Sequence, residues 1–401
     1  MTAIALRFVP QSARAPMFAI APIAGIVFSA FFVIGMALPV LPLHVHQRLG
    51  MSPFVVGLVA GSQFAAALLS RLWAGRITDT HGAKRAVLMG LIAAIAGAVF
   101  YLISLLLVET PGISVGVLLI GRALVGGAES LIITGSMLWG LRRLSPDRSA
   151  QAIAWVGMSM FAAMALGAPV GSFVFAQFEF FGIALATTVV LLVTLALIAP
   201  MRALPPVASE KAPLSTVLRA VLLPGVGFAL SGITFGSVTT FLTLYFALRG
   251  WAHGAVAFSM FALALIAIRV FGGHLPDRIG GARVALYCLG IQAVGLMLIA
   301  VAGAGWIAIV GAGIAGAGFS LVFPSLGLEA VGRVSPGSRG IAMGAYNAFV
   351  DLTLGIGSPL LGLLAGNAGM QAVFWASAAA AVVAIPVTLY IKRQPATAYR
   401  T

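Results

Sequence analysis

The chain has 401 residues, of which 61% are hydrophobic and 8% charged, with a formal net charge of +14. No soluble domain of this size covers its core with so few charges, so the bilayer must be the solvent. The basic residues lie in short loops between apolar runs and not in a patch with interleaved aromatics, which excludes a nucleic-acid partner. One cysteine, Cys288, excludes an intrachain disulfide and a cysteine metal site.

Arg7 and Arg14 precede the first apolar run, as in a signal peptide. That run is longer than an ordinary signal core and many more follow, so it is expected to stay as a helix. Apolar runs long enough to cross a membrane fall at about 17–43, 53–75, 86–108, 113–141, 150–175, 181–200, 221–248, 253–273, 284–303, 306–331, 341–365 and 370–391. Continuous runs without alternation predict helices, not a barrel. The expected fold is an all-α membrane protein with twelve transmembrane helices in two pseudo-symmetric six-helix bundles. With both termini in the cytoplasm, all but three of the 23 Lys and Arg fall on the cytoplasmic side. The exceptions are Arg48 and Arg249 outside and Arg122 within a span. The location expected is a bacterial-type inner membrane. A Pro-rich, charged stretch at 201–220 reads as a cytoplasmic linker between bundles 1–200 and 221–401.

A pattern occurs twice, 198 positions apart. Arg71, Trp73, Gly75, Asp79 and Gly82 match Arg269, Phe271, Gly273, Asp277 and Gly280. At an offset of 190, Gly121 and Gly126 match Gly311 and Gly316, Leu144, Ser145 and Pro146 match Val334, Ser335 and Pro336, and Ser130 matches Ser320. Gly167, Ala168 and Pro169 likewise match Gly357, Ser358 and Pro359. Each copy of the first pattern sits where an apolar run meets a short charged loop, with Asp79 and Asp277 just past a helix end. Such duplication suits a transporter whose halves rock around a central site.

Three charges lie deep in spans: Arg122 and Glu129 on span 4 and Asp351 on span 11. A charge at a helix centre costs about 2.5–3.5 kcal/mol and is tolerated where it faces water, a partner or the bundle interior. Arg122 and Glu129 are seven apart and share a face, with Cα atoms roughly 10 Å apart. A carboxyl in a partly dry cavity can exchange a proton near neutral pH, and an arginine that approaches in only one conformation makes that exchange depend on which side is open. The second half has Ala312 and Phe319 at these two places, so the repeat is symmetric in its gates and asymmetric in its charges. Asp351 shares a face with Asn347 and is read either as a second protonatable or substrate-binding group or as a gating residue between the halves. Pocket candidates are Phe32, Gln63, Ser130, Thr234, Thr240, Phe319, Tyr346 and Asn347. The prolines Pro169 and Pro359 permit bends. His44 and His46 read as interfacial residues, because a metal site needs more ligands. No phosphate-cradling Gly-x4-Gly-Lys-Ser/Thr loop is present, so ATP does not drive this chain.

These residues resemble the major facilitator superfamily across the chain. Gly75, Asp79, Gly82, Lys84 and Arg85 match its cytoplasmic gating motif, with Thr80 and Ala83 at two usually basic positions. Arg122 and Gly126 resemble its second motif, and Gly167, Pro169 and Gly171 its antiporter motif, with Ala168 where glycine is usual. Glu129, Ser130 and Thr134 with Tyr346 and Asp351 resemble the arabinose-efflux-like (YhhS-type) branch of the drug/proton antiporters, although Ala128 replaces a glycine. The resemblance implies a secondary active transporter, a proton-coupled antiporter exporting a small organic solute or drug. Sugar or metabolite uptake and lipid flipping are the alternatives. It implies no enzyme activity, no cofactor or metal, and a monomer. Arg122 is implied in proton transfer with Glu129 and Asp351. Asp79 is implied to close a cytoplasmic gate against the start of span 11 near Arg339 and Gly340. The gate set is Arg71, Gly75, Asp79, Gly82, Lys84, Arg85, Gly273, Asp277 and Arg278.

Overall fold

The computed structural model describes residues 11–143, 149–203, 214–334 and 339–394. Among them there is no strand. The first crossing is α1 (Gln11–Ala37), continued by a short turn at Leu41–Leu43 and a π-helical turn at His44–Arg48. It is followed by α2 (Pro53–His81), α3 (Ala83–Leu105) and α4 (Pro111–Arg143). The helical stretch Ser149–Ile198 holds two crossings, because Glu179 breaks it with φ 50° and ψ −151°. A Cβ built on Gly182 would lie 2.8 Å from the Val174 side chain. Eight residues of continuous helix would separate them by about 12 Å, so the chain reverses at Glu179. We call the two parts α5 (149–178) and α6 (180–198). The second half comprises α7 (Leu214–Leu248), α8 (Gly254–Gly272), a five-residue helix at Leu275–Ile279, and α9 (Gly281–Val301). Then come α10 (Gly305–Ser320 with Val322–Val331), α11 (Arg339–Ala368) and α12 (Met370–Arg393). The protein is a multi-pass membrane protein whose described residues form twelve apolar crossings in two bundles of six, with Ser149–Ile198 divided at Glu179. Residues 204–213 of the expected linker lie outside the described residues, and 214–220 are corrected to the first turns of α7. Residues 144–146 and 335–336 of the matched triplets also lie outside them.

Proline explains where the spans depart from single rods. Pro39 and Pro42 interrupt α1 near its end. Pro324 has no N–H and its ring displaces the carbonyl four residues earlier. That carbonyl belongs to Ser320, where α10 breaks, and Arg269 donates to it at 2.6 Å. Pro276 marks a difference between the halves. The expectation that Asp79 and Asp277 lie just past helix ends is corrected: Asp79 is inside the last turn of α2, and Asp277 lies in the separate five-residue helix. Thr78 stands where Pro276 does and lets α2 run on, its hydroxyl donating to the Ala74 carbonyl at 2.7 Å.

The sequence repeat is a repeat of backbone. Gly82 and Gly280, the last residues of the two copies, have φ 89° and 94° with extended ψ, a conformation reserved for glycine. Glu179 and Gly369, 190 apart, both reverse the chain with positive φ. A Cβ on Gly97 would meet the Gly121 carbonyl at 2.8 Å, and one on Gly295 would meet the Gly311 carbonyl at 2.6 Å. Replacement of Gly82 by alanine is expected to destabilise the protein by roughly 1–3 kcal/mol. Gly75→Ala should not destabilise the protein and should gain up to about 1 kcal/mol, since no atom lies within 4 Å of its added Cβ and alanine is the better helix former. Thermal unfolding in detergent compares the two.

The halves join at the end of the bundle opposite the termini. There the N-terminal core cluster takes in Phe241, Leu244, Phe258, Leu361, Ala365 and Val373, all near that end of C-terminal helices. The second core cluster draws its buried residues from the C-terminal half alone. Thr243 donates to the Pro39 carbonyl at 2.8 Å. Along the same end, Gly57 and Gly61 of α2 let the backbone of α11 approach at Gly355 and Ser358, and Gly362 faces the Pro53 carbonyl.

Candidate functional site

The three intramembrane charges meet near the middle of the bundle, with Arg71 as a fourth. Arg122 is 1% exposed, Glu129 7% and Asp351 4%. Arg122 sits on α4 one turn before Gly126, whose lack of a side chain brings the α2 backbone at Gln63 against α4. Its guanidinium therefore reaches α2 and donates to the carbonyls of Val59 at 3.3 Å and Ala60 at 3.2 Å. Glu129, two turns along the same face, accepts from the Gln63 amide at 2.8 Å. Asp351, Arg71 and Arg122 are its electrostatic neighbours. Ser130 donates to the Ala67 carbonyl at 2.6 Å. Its repeat partner Ser320 donates to Leu265 at 2.6 Å, so this is the shared way of fastening the fourth helix of each half to the second.

Arg71 and Asp351 form an ion pair and hydrogen bond between α2 and α11. The pair links the two halves and sits where the glycine-mediated contact of these helices ends. Toward the termini Gly75 and Gly344 have no neighbour within 4 Å of an added Cβ.

Gln63, expected in the pocket, is fully buried and serves Glu129 instead. Its amide carbonyl Oε1 has no partner. A rotated amide could accept from a protonated carboxyl as readily as the present one donates to a carboxylate. Gln63→Leu is expected to cost about 1–3 kcal/mol by leaving a buried acid unsatisfied, and the double variant Gln63→Leu/Glu129→Leu should recover most of that. Additive losses in thermal unfolding would sink this coupling.

Apart from Arg71, the residues expected to form a gate are spread along the terminal end. Asp79 is partly exposed and has a polar partner. The side chains of Arg339 and Gly340, its expected counterpart, lie outside the described residues. Lys84 donates to the Ala199 carbonyl at 2.7 Å, a cation closing the C-terminal end of α6 within its own half. Arg85, Gly273, Asp277 and Arg278 are exposed. Gly167 and Gly171 press α5 onto the α1 backbone at Phe32 and Met36, while Pro169 faces outward.

The other pocket candidates divide. Phe32 is half-buried and stacks on Phe28 at 5.9 Å, and Asn347 is half-buried. Tyr346 is fully buried and donates to the Phe323 carbonyl at 3.0 Å. Thr234 accepts from Gln292, Thr240 is buried, and Phe319 stacks on Phe235 at 5.6 Å. Phe261 and Phe319 occupy the repeat positions of Gln63 and Glu129 and stack with centroids 6.3 Å apart. The polar pair of one half is thus an aromatic pair in the other. Three residues escaped the sequence reading. Gln292 ties α9 to Ser231 and Thr234 of α7. Glu329 caps the start of α9 through the Ala282 amide at 3.0 Å. Thr187 of α6 and Glu129 of α4 line the same small void. A lone glutamine in a span was the available signal for the first. No signal marked the others.

The family model of the Major Facilitator Superfamily matches residues 23–347 and 255–401. An uncharacterized MFS-type transporter of Salmonella typhimurium is 38% identical over 375 residues, covering 93% of this chain and 96% of its own. In fold, a POT family peptide transporter in an auto-inhibited form superposes with TM-score 0.76 at 12% identity, over 96% of this chain and 98% of its own. The nucleoside transporter NupG superposes with TM-score 0.68 at 16% identity, over 94% and 100%. With a family match over nearly its whole length and a full-length relative at this identity, the chain belongs to the major facilitator superfamily of transporters.

Proposed function

We propose that this transporter is a proton-coupled antiporter that exports a small organic solute or drug across a bacterial inner membrane, as a monomer with both termini in the cytoplasm. The carrying observation is Glu129, a buried acid midway along α4, bonded to Gln63 and beside the Arg71–Asp351 pair that joins the halves. A fixed scaffold has no need of such an acid, and the C-terminal half replaces it with Phe319. With the termini inside, the end at which the cores of the two halves join faces outward. In the cycle, Glu129 releases its proton inward and solute binds. The halves then rock, with the Arg71–Asp351 pair parting as α2 and α11 move. A proton from outside reloads Glu129 and displaces the solute.

At 100 mV one net charge supplies about 2.3 kcal/mol, equivalent to about 50-fold accumulation of a neutral solute. The test uses proteoliposomes preloaded with organic cations or neutral amphiphiles chosen by a thermal-shift panel. An imposed proton gradient should drive them uphill, in the direction opposite to proton flow. Movement that follows only the solute's own gradient would mean uniport.

A further inference from the structure

Glu129 faces a void of about 10 Å³ inside the N-terminal bundle, lined by α1, α3, α4 and α6 and apart from the seam between the halves. Its other lining groups include Val33, Ala94, Ile132 and Thr187. Thr187 is 3% exposed and its hydroxyl has no hydrogen-bond partner. This is unusual for threonine in a helix, which commonly bonds the carbonyl four residues back. Thr188 and Thr194 do so, at 2.8 and 2.7 Å.

The repeat shows what this place accepts. Gly97 and Gly295 make the same contact in the two halves, which pairs Ala94 with Gln292. In the C-terminal half Gln292 extends its amide to Ser231 and Thr234. In the N-terminal half Ala94 stops short and leaves the void. Thr187 pairs with Ser377, which returns to its own helix at the Val373 carbonyl, 2.8 Å away. So the half that carries the acid lacks the internal polar side chain and holds a hydroxyl unused. A void of roughly 10–15 Å³ with polar partners is the room one water needs.

We propose that one water molecule occupies this void, bridging Thr187 Oγ1 and the Glu129 carboxyl, and that Thr187 is the positioning residue that holds it. The inference rests on Glu129 being the proton carrier. Such a water can donate to the carboxylate or accept from the carboxylic acid, so it serves both protonation states. It lies on the bundle side of Glu129, away from the seam where Asp351 and Arg71 meet. Glu129 therefore keeps a hydrogen-bond partner when solute fills the central cavity. The charged groups near the acid, Asp351 on α11, Arg71 on α2 and Arg122 on α4, are unchanged by substitution at Thr187.

The test is infrared difference spectroscopy of the purified full chain between acid and alkaline pH. The carboxyl C=O band of Glu129 is assigned by its loss in Glu129→Gln. In Thr187→Val that band should move to higher wavenumber, as a carboxyl does on losing a hydrogen bond, while Thr187→Ser leaves it in place. Thr187→Ala, read in the same way, substitutes if the valine variant does not purify folded. An unmoved band in the variants without a hydroxyl overturns the water bridge and leaves the carrier reading intact. A band moved equally by serine and valine overturns it too. A native protein with no Glu129 band overturns the carrier reading, and this one with it.

Discussion

Replacing Glu129 with glutamine is expected to abolish uphill export while leaving exchange of solute down its own gradient. Glutamine keeps the size of the side chain and a carbonyl that accepts from Gln63, so packing between α2 and α4 survives. It removes the group that loads and unloads a proton. Accumulation driven by a proton gradient should fall from as much as about 50-fold to none. Solute counterflow in the same vesicles should persist. In weakly buffered detergent, solute addition should release protons from the native protein and none from the variant. Release that is unchanged by the substitution would place the carrier elsewhere.

The second large effect is expected at Arg71 and Asp351. Asp351→Asn and Arg71→Gln each leave one buried charge without its counter-ion. Breaking a fully buried pair costs about 3–5 kcal/mol, and the Arg71 side chain is 16% exposed, which reduces the expected loss to about 1–3 kcal/mol. Because the pair joins α2 to α11, each single change should also loosen the halves and alter the exchange rate. The double change Arg71→Met/Asp351→Leu removes both charges and should recover stability relative to either single. A coupling of about 1–3 kcal/mol in a thermal-unfolding cycle is expected. Strict additivity would show that the pair does not hold the halves together.

How much of this was legible varied with the sequence distance between partners. Gly82 and Gly280 were visible as the last residues of a repeated pattern, and each proves to occupy a backbone region that only glycine tolerates. Arg122, Glu129 and Asp351 stood out because a charge in an apolar run needs an explanation. Their partners did not stand out. Arg71 was read as part of a gate at the inner end of span 2, and Asp351 had two open readings. The contact between them spans 280 positions of sequence. Gln63 looked like a pocket residue, and only the approach of α2 to Gly126 of α4 sets it beside Glu129. Thr187 and Thr188 are neighbours with identical chemistry. One hydroxyl returns to the Ala184 carbonyl, and the other has no partner on a residue that lines the same void as Glu129.

The sequence by itself determined the twelve crossings, the division into similar halves and the location of the costly charges. Each follows from local physics: apolar length against bilayer thickness, the conformational freedom of glycine, and the expense of charge in lipid. Only the tertiary structure decided that Glu129 pairs with Gln63, that Arg71 crosses to Asp351, and that the apolar cores of the halves join at the end away from the termini. Those outcomes depend on the rotation and depth of helices against one another. Side-chain volume and backbone approach across the bundle set both, and neither is written in the order of residues along one helix.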